Sequence, residues 1–275
     1  MKVRDYCREC LKNLARQAVA LSHGDEALIM SCCRLVDTLF DGTSCPTFIS
    51  NRLLRYVKSR TGMYDPYAER KAIDFRQARE AAARVSDLFP DDLEGLFQLS
   101  AFGNGGDFFL EQSYNPDHID LDGDMAKIAH QVYISSKIMI LGDNPGDFVF
   151  DQPLISRLRQ MGKQVLYAVK EHPVQNDMSL IDVARFGAGQ MRGQVISTGT
   201  DEVGIRREEM WGKIREWWED GSMVIAKGMG NYETISEFDH ERPVVYVLKV
   251  KCRTVGETLG REVGTYIAIA GGDHG

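Results

Sequence analysis

Short apolar runs alternate with helical stretches from about residue 130 onward, and this alternation constrains the fold more than any other feature. The predicted strands cover residues 137–141, 164–169, 194–197, 223–226, 244–250 and 265–270. The helices predicted between them cover residues 148–161, 179–186, 206–219 and 254–259. Because strands and helices alternate, the sequence predicts an α/β fold with a doubly wound, mostly parallel, Rossmann-like sheet.

The N-terminal part of the chain has a different periodicity. Apolar residues recur at helical spacing within 7–22, 26–40 and 73–89, and breaks fall at 41–44 and 65–67. We therefore predict a mainly helical cap region over residues 1–130. An α/β domain would follow over residues 131–275.

Charge and hydropathy limit the partners and the location of the protein. The net charge of −7 at pH 7 argues against a nucleic-acid binder, which would present a basic face. No apolar run is long enough to span a bilayer, and the segment MKVRDYCREC lacks the apolar core of a secretory signal. We expect a cytoplasmic protein that needs no membrane, and a small anionic substrate remains compatible with its charge. The oligomeric state is not predicted.

Polar residues directly follow four of the predicted strands. Asp143 and Asn144 follow the first strand, and the other clusters occupy residues 170–177, 197–200 and 227–233. Ligands of open α/β sheets bind beyond the carboxyl ends of the strands, and carboxylate and amide oxygens suit a divalent metal. Such residues are also common in turns and helix caps. Four clusters in register favour a shared metal site beside a cationic anion pocket.

Several of these segments resemble a known family. GDNPGDFVFDQPLI, VKEHPVQNDMSLID and KGMGNYE are similar to motifs of the metal-dependent damage-control phosphatases, once catalogued as a domain of unknown function. DPY at 65–67 and GNGGDF at 103–108 resemble its N-terminal signatures, and Cys7-x-x-Cys10 resembles the start of its microbial branch. The resemblance covers nearly the whole chain and implies a helical cap over a Rossmann-like sheet. It also implies a divalent metal, commonly manganese, nickel, cobalt or magnesium.

The activity that this resemblance implies is hydrolysis of phosphate monoesters of small metabolites, such as sugar phosphates or damaged phosphometabolites. Its implied metal ligands are Asp143, Asn144 and Asp177. The implied phosphate-binding and substrate-binding residues are Lys227, Gly228, Gly230, Asn231 and, from the cap side, Asn104 and Asp107.

The general base is left open by the sequence. Asp107, Asp177 and Asp147 are the candidates, and the family usually has Glu where this chain has Asp147. The implied roles agree with the chemistry, because phosphate ester hydrolysis needs charge neutralisation on the phosphoryl oxygens and an aligned nucleophile.

Other functions fit the sequence less well. A methyltransferase would need a glycine-rich loop where residues 143–147 are acidic, and an aspartyl-nucleophile phosphatase would need Asp where Pro145 stands. A non-catalytic sensor of phosphorylated metabolites stays open as the main alternative. Cys7 and Cys10 could bind zinc or simply pack, since no second regular Cys-x-x-Cys pair accompanies them.

Overall fold

The computed structural model describes residues 1–105, 120–186, 195–238 and 242–271. Within these residues, seven strands form one sheet in the order β1-β7-β6-β5-β2-β3-β4. The strands are β1 (Leu121–Asp122), β2 (Lys137–Leu141), β3 (Gln164–Val169), β4 (Val195–Ser197), β5 (Met223–Lys227), β6 (Val244–Lys249) and β7 (Tyr266–Ala270). All neighbouring strands are parallel except β6 and β7. The predicted mixed α/β fold with a mostly parallel sheet is confirmed.

The described residues contain helices in the predicted regions and also helices over 93–104, 125–134 and 228–235, which were not predicted. They are α1 (Asp5–Leu21), α2 (Glu26–Leu39), α3 (Pro46–Thr61), α4 (Ala68–Val85), α5 (Leu93–Asn104), α6 (Met125–Ile134), α7 (Pro145–Phe150), α8 (Gln152–Gln160), α9 (Leu180–Arg185), α10 (Gly212–Glu219), α11 (Gly228–Ile235) and α12 (Arg253–Leu259). Short 3₁₀ turns cover Ser86–Leu88 and Arg207–Glu209.

Some predicted boundaries were wrong. The helix predicted over 148–161 is divided into α7 and α8, because Pro153 occupies the first turn of a new helix rather than the interior of a longer one. The helix predicted over 206–219 is interrupted before Gly212, whose φ of 57° is left-handed. The short strand β1 was not predicted, and residue 194 lies outside the described residues.

Apolar side chains alternate between the two faces of the sheet, so both faces are covered. Ile138 and Ile140 of β2 belong to the core beneath α5, α6, α7 and α8. Met139 and Leu141 of the same strand face the opposite core, which α10, α11 and α12 cover. This alternation places helices on both sides of the sheet and leaves the strand ends as the open edge.

Helices α1, α2 and α3 pack on one another and share a separate core. Val174 and Val203, from loops that follow β3 and β4, belong to that core, so the three-helix bundle lies over the carboxyl ends of the strands. Helices α5 and α6 and strand β1 instead pack in or against the sheet. The division at residue 130 stays a prediction. Within the described residues, no helix has both the length and the hydrophobicity to cross a bilayer.

Candidate functional site

The site lies where the chain order of the sheet reverses. From β2 the chain moves outward to β3 and β4, whereas β5 returns to the other side of β2 and leads to β6. Asp143 follows β2, and Gly228 begins α11 directly after β5. A Cβ on Gly228, whose φ is 75°, would lie 2.1 Å from Oδ2 of Asp143. Only glycine fits there, and the two strand ends form a crevice of the kind that binds ligands in such sheets.

Asp143 lies close to other acidic side chains. Burial, followed by the charges of Asp177 and Asp147, raises the pKa of Asp143 to about 8, and Lys251 opposes this rise. Nδ2 of Asn104 donates to Oδ2 of Asp143 at 3.0 Å, which fixes the carboxyl group. A cation would stabilise the charged form of an acid that lies close to other acids.

Asp177 completes the acidic side of the crevice from the loop after β3. It is 3% exposed, and its Oδ2 lies 3.6 Å from Nζ of Lys170. Burial raises the pKa of Asp177, and Lys170 opposes the rise. The backbone N–H of the next residue, Met178, donates to the carbonyl oxygen of Asp143 at 2.7 Å. The structure therefore brings the two predicted carboxylate ligands to one place.

Asn144 is the N-cap residue of α7. Its Oδ1 accepts hydrogen bonds from the backbone N–H groups of Gly146 at 2.8 Å and Asp147 at 3.1 Å. These bonds satisfy free donors at the start of α7, as an N-cap residue does. The prediction that Asn144 is a metal ligand stays a prediction, and its amide oxygen would have to serve both the cap and the metal or exchange one for the other.

Lys227 has other partners than the phosphate that we expected it to hold. Its ammonium group is fully buried and lies 3.1 Å from Oδ1 of Asp147 and 3.0 Å from Oδ1 of Asp151. It also donates to the carbonyl oxygen of Ser100 at 2.8 Å. Burial alone would lower the pKa of Lys227, but Asp151 and Asp147 raise it overall. Its donors are used inside the protein, so direct phosphate binding by Lys227 does not agree with this geometry.

Asn104, at the end of α5, is fully buried beside the strand ends and does not line the cavity, so its expected role in binding substrate stays a prediction. Its Nδ2 donates to Oδ2 of Asp147 at 2.7 Å as well as to Asp143, and its Oδ1 accepts from the backbone N–H of Lys249 at 3.0 Å. Asp147 is fully buried within this network and does not line the cavity. Asp107 lies outside the described residues, so its predicted role has no structural counterpart here.

The remaining predicted residues lie in α11, which begins directly after β5. Nδ2 of Asn231 donates to the carbonyl oxygen of Lys227 at 2.8 Å and reaches that of Gly142 at 3.3 Å. Asn231 therefore ties the ends of β5 and β2 together. Gly230 lines the cavity, where a Cβ would lie 2.5 Å from Cγ1 of Val203.

A cavity of about 390 Å³ opens onto Asp143 and Asp177. Its cap wall consists of residues from α1 and α3, and its other wall comes from α11 and from the segments that follow β2, β3, β4 and β6. The lining residues are Cys10, Leu11, Asn13, Leu14, Gln17, Pro46, Thr47, Ser50, Asp143, Gln175, Asn176, Asp177, Val203, Met229, Gly230, Glu233 and Lys251. A cavity of this volume suits a small metabolite.

Sequence reasoning missed several residues of this region. Lys251 lines the cavity and directly follows the strand predicted over 244–250, so the rule that identified the other clusters would have found it. Asp151 offered a weaker signal, a charge within the apolar segment FVFDQPL. Ser100 offered none, because its position beside Lys227 depends on how α5 packs.

The cysteines of the described residues are all free thiols. Sγ of Cys7 lies 2.8 Å from Oγ1 of Thr254, which is a packing contact between α1 and α12. Among the residues that the structure describes, no three His, Cys, Asp or Glu side chains are grouped so as to hold a metal by themselves. The hypothesis that Cys7 and Cys10 bind zinc gains no geometric support. The predicted metal site at Asp143 and Asp177 would need the amide of Asn144 and non-protein ligands in addition to these two carboxylates.

Comparison with known proteins gives a consistent result. A model of the damage-control phosphatase ARMT1-like domain matches residues 3–267. A damage-control phosphatase of Pyrococcus horikoshii is 27% identical, with 98% of each chain covered, and one of Archaeoglobus fulgidus is 25% identical over 98% of this chain and 99% of its own. An uncharacterised Methanocaldococcus jannaschii protein is 27% identical over 98% of this chain and 95% of its own.

A solved structure has the same fold. The crystal structure of a DUF89 family protein from Pyrococcus horikoshii matches with a TM-score of 0.85 and 27% identity, and the match covers 98% of each chain. The family match extends over nearly the full sequence, including every strand and helix that forms the crevice. The chain therefore belongs to the damage-control phosphatase ARMT1-like family.

Proposed function

We propose that this protein is a metal-dependent phosphatase that hydrolyses phosphate monoesters of small metabolites. The observation that carries the proposal is the pair of carboxyl groups, half-buried Asp143 and buried Asp177, that line one small cavity together with Lys251. Relatives named damage-control phosphatases support the reaction class.

Asp143 and Asp177 would hold a divalent metal, with Asn144 as the third protein ligand. The residues fit such an ion because burial and mutual repulsion raise the pKa of Asp143 to about 8, and a dication would relieve both effects. Oxygen ligands accept manganese, nickel, cobalt and magnesium. A bound divalent ion would polarise the phosphoryl group and lower the pKa of a bound water molecule.

Lys251 takes the phosphate-binding role that the sequence had suggested for Lys227. It lines the cavity and acts electrostatically on Asp143, so its charge is directed toward the place where a phosphoryl group would approach the two carboxylates. A cation at this place stabilises the charge that develops on the phosphoryl oxygens.

Lys227 and Asn104 would then be positioning residues. Lys227 pairs with both Asp147 and Asp151, and Asn104 donates hydrogen bonds to Asp147 and Asp143. Together they hold the Asp143 carboxylate in one orientation. A rigidly held carboxylate loses less conformational entropy when it binds a ligand.

The test is hydrolysis of p-nitrophenyl phosphate by metal-stripped protein, with manganese, nickel, cobalt and magnesium returned separately. Asp143→Ala should abolish the metal-restored turnover and leave the folded structure intact. Asp91→Ala is the matched control, since Asp91 is an exposed acid that does not line the cavity. Full turnover by Asp143→Ala at equal metal occupancy would contradict the proposal. Metal and phosphate binding without turnover, by contrast, would indicate a sensor.

A further inference from the structure

We propose that Lys71 of α4 fixes the position of Asp177 by holding the loop of residues 170–179 against the end of β2. Lys71 does not line the cavity, so it acts as a positioning residue, through Asp182 and Ser179. The inference deepens the proposed function and rests on it, because Asp177 is there a metal ligand. The position of the loop itself can be measured without a metal.

Lys71 is the central cation of a buried group of charges. Its side chain is fully buried, and its Nζ lies 2.6 Å from Oδ2 of Asp182 and 2.9 Å from Oδ2 of Asp65. Asp65 precedes α4, whereas Asp182 belongs to α9, 111 positions after Lys71. Because a buried charge that loses its partner is strongly destabilised, the three groups hold one another and the two segments in place.

Asp182 connects Lys71 to the base of the loop that carries Asp177. The oxygen atom that contacts Lys71, Oδ2, also accepts hydrogen bonds from Oγ of Ser179 at 2.6 Å and from its backbone N–H at 3.0 Å. Ser179 is fully buried and forms a parallel β-bridge with Lys170, at the other end of the loop. Asp177 is therefore two residues from the point that Asp182 holds.

Met178, between Ser179 and Asp177, connects the loop to the end of β2. Its backbone N–H donates to the carbonyl oxygen of Asp143 at 2.7 Å, and its carbonyl oxygen accepts from the backbone N–H of Lys170 at 2.9 Å. The first of these bonds brings the loop to the segment that carries the other carboxylate of the site. A displacement of Ser179 would break this bond and separate Asp177 from Asp143.

The charge of Lys71, taken alone, would have the opposite effect on metal binding. Burial raises the pKa of Asp177, and Lys170 and Lys71 oppose the rise, so the charge of Lys71 acts on this carboxyl group. The same charge repels a cation bound there, and it repels a dication twice as strongly as the proton that the dication displaces. Removal of the charge alone would therefore strengthen metal binding. Loss of positioning would weaken it, so the sign of the change separates the two effects.

The experiment compares Lys71→Met with two other variants. Arg70→Met is the matched control, because Arg70 precedes Lys71 on the same helix and pairs with the buried acid Asp74 at 2.9 Å. Both variants thus remove a cation from a buried acid. Ser179→Ala is a second test, since it removes the 2.6 Å hydrogen bond to Asp182 and leaves the ion pairs in place.

Two quantities are measured: hydrogen exchange of the Met178 amide in metal-stripped protein, relative to the amides of β5, and manganese affinity by calorimetry. In Lys71→Met the Met178 amide should exchange about 10-fold faster than in the wild type. Manganese affinity should fall by about 10- to 100-fold, as it does when a group that orients a metal ligand is removed. Ser179→Ala should change both quantities in the same direction by roughly 5-fold. Arg70→Met should change neither.

Unchanged exchange of Met178 in Lys71→Met and Ser179→Ala would overturn the inference. Tighter manganese binding by Lys71→Met would also overturn it, and so would an equal loss of affinity in Arg70→Met. If Lys71→Met does not fold, Ser179→Ala decides by the same two quantities. If the wild-type protein binds no divalent metal, the proposed function fails, and the exchange of Met178 still decides whether Lys71 holds the loop.

Discussion

The sheet side and the cap side of the cavity are built in different ways. On the sheet side, Lys227, Asp147 and Asp151 form a fully buried charged network that touches no solvent. On the cap side, Asn13 and Gln17 are exposed residues of a helix and present neutral groups at the rim. The buried region therefore holds its charged groups in fixed positions. The exposed side chains of the cap region have more conformational freedom. We expect reaction chemistry to depend on the first region and substrate choice on the second.

The largest expected effect comes from Lys227→Met, which leaves Asp147 and Asp151 buried without their cation. The free energy of unfolding should fall by about 3–5 kcal/mol, because breaking a buried ion pair strands an uncompensated charge. Urea denaturation measures this, with Lys137→Met as the control, since Lys137 is in a partly exposed pair with Asp220. If Lys227→Met is stable and has lost only phosphate affinity, the original prediction that Lys227 binds phosphate would be correct. The contrast between a structural sheet side and a variable cap side would then be weaker.

The next effect separates catalysis from stability at Lys251. Lys251→Met should lower kcat/KM for p-nitrophenyl phosphate by roughly 100-fold, as removal of a group that stabilises transition-state charge does. Steady-state kinetics and thermal unfolding are measured side by side, with Lys213→Met of the exposed face of α10 as the control. If the variant instead loses stability without a change in kcat/KM, Lys251 has a structural role like that of Lys227 and does not bind phosphate.

A smaller effect concerns Gln175, which has a φ of 44° in the loop that carries Asp177. Gln175→Gly should raise the free energy of unfolding by up to about 1 kcal/mol, because the left-handed region is strained for residues with a Cβ. It should also raise KM, because an amide that lines the cavity is lost. His23→Gly, at a φ of 53° outside the cavity, should show the stability gain alone. Equal KM changes in both variants would contradict this.

The smallest effect is a pH dependence of the free energy of unfolding that is due to Glu233. Burial raises the pKa of Glu233 from 4.5 to about 7, so between these values the folded protein keeps a proton that the unfolded chain has lost. The free energy of unfolding of metal-stripped protein should therefore fall as the pH rises through this window. Glu233→Gln should flatten that slope in urea titrations at several pH values. Parallel curves for the two proteins would show that Glu233 has an ordinary pKa.

The sequence predicted the sheet side better than the cap side, for a physical reason. Strand ends of a parallel sheet meet at one edge, so Asp143 and Gly228 could be placed together from strand positions alone. Lys251 obeyed the same rule and was overlooked. The partners of Lys227 were not predictable, because Ser100 and Asp151 reach it through the packing of α5 and the division of one expected helix into two.

The contacts of Asn104 and Ser100 have a consequence for the order in which the molecule assembles. Ser100 and Lys227 are separated by 127 positions, and Asn104 and Lys249 by 145. Contacts between such distant positions require long loops to close and form slowly during folding. The crevice is complete only when α5 is docked on both β5 and β6. If the protein binds a metal as proposed, the gain of metal affinity during refolding would report the docking of α5, and a chain without that docking would lack the binding site.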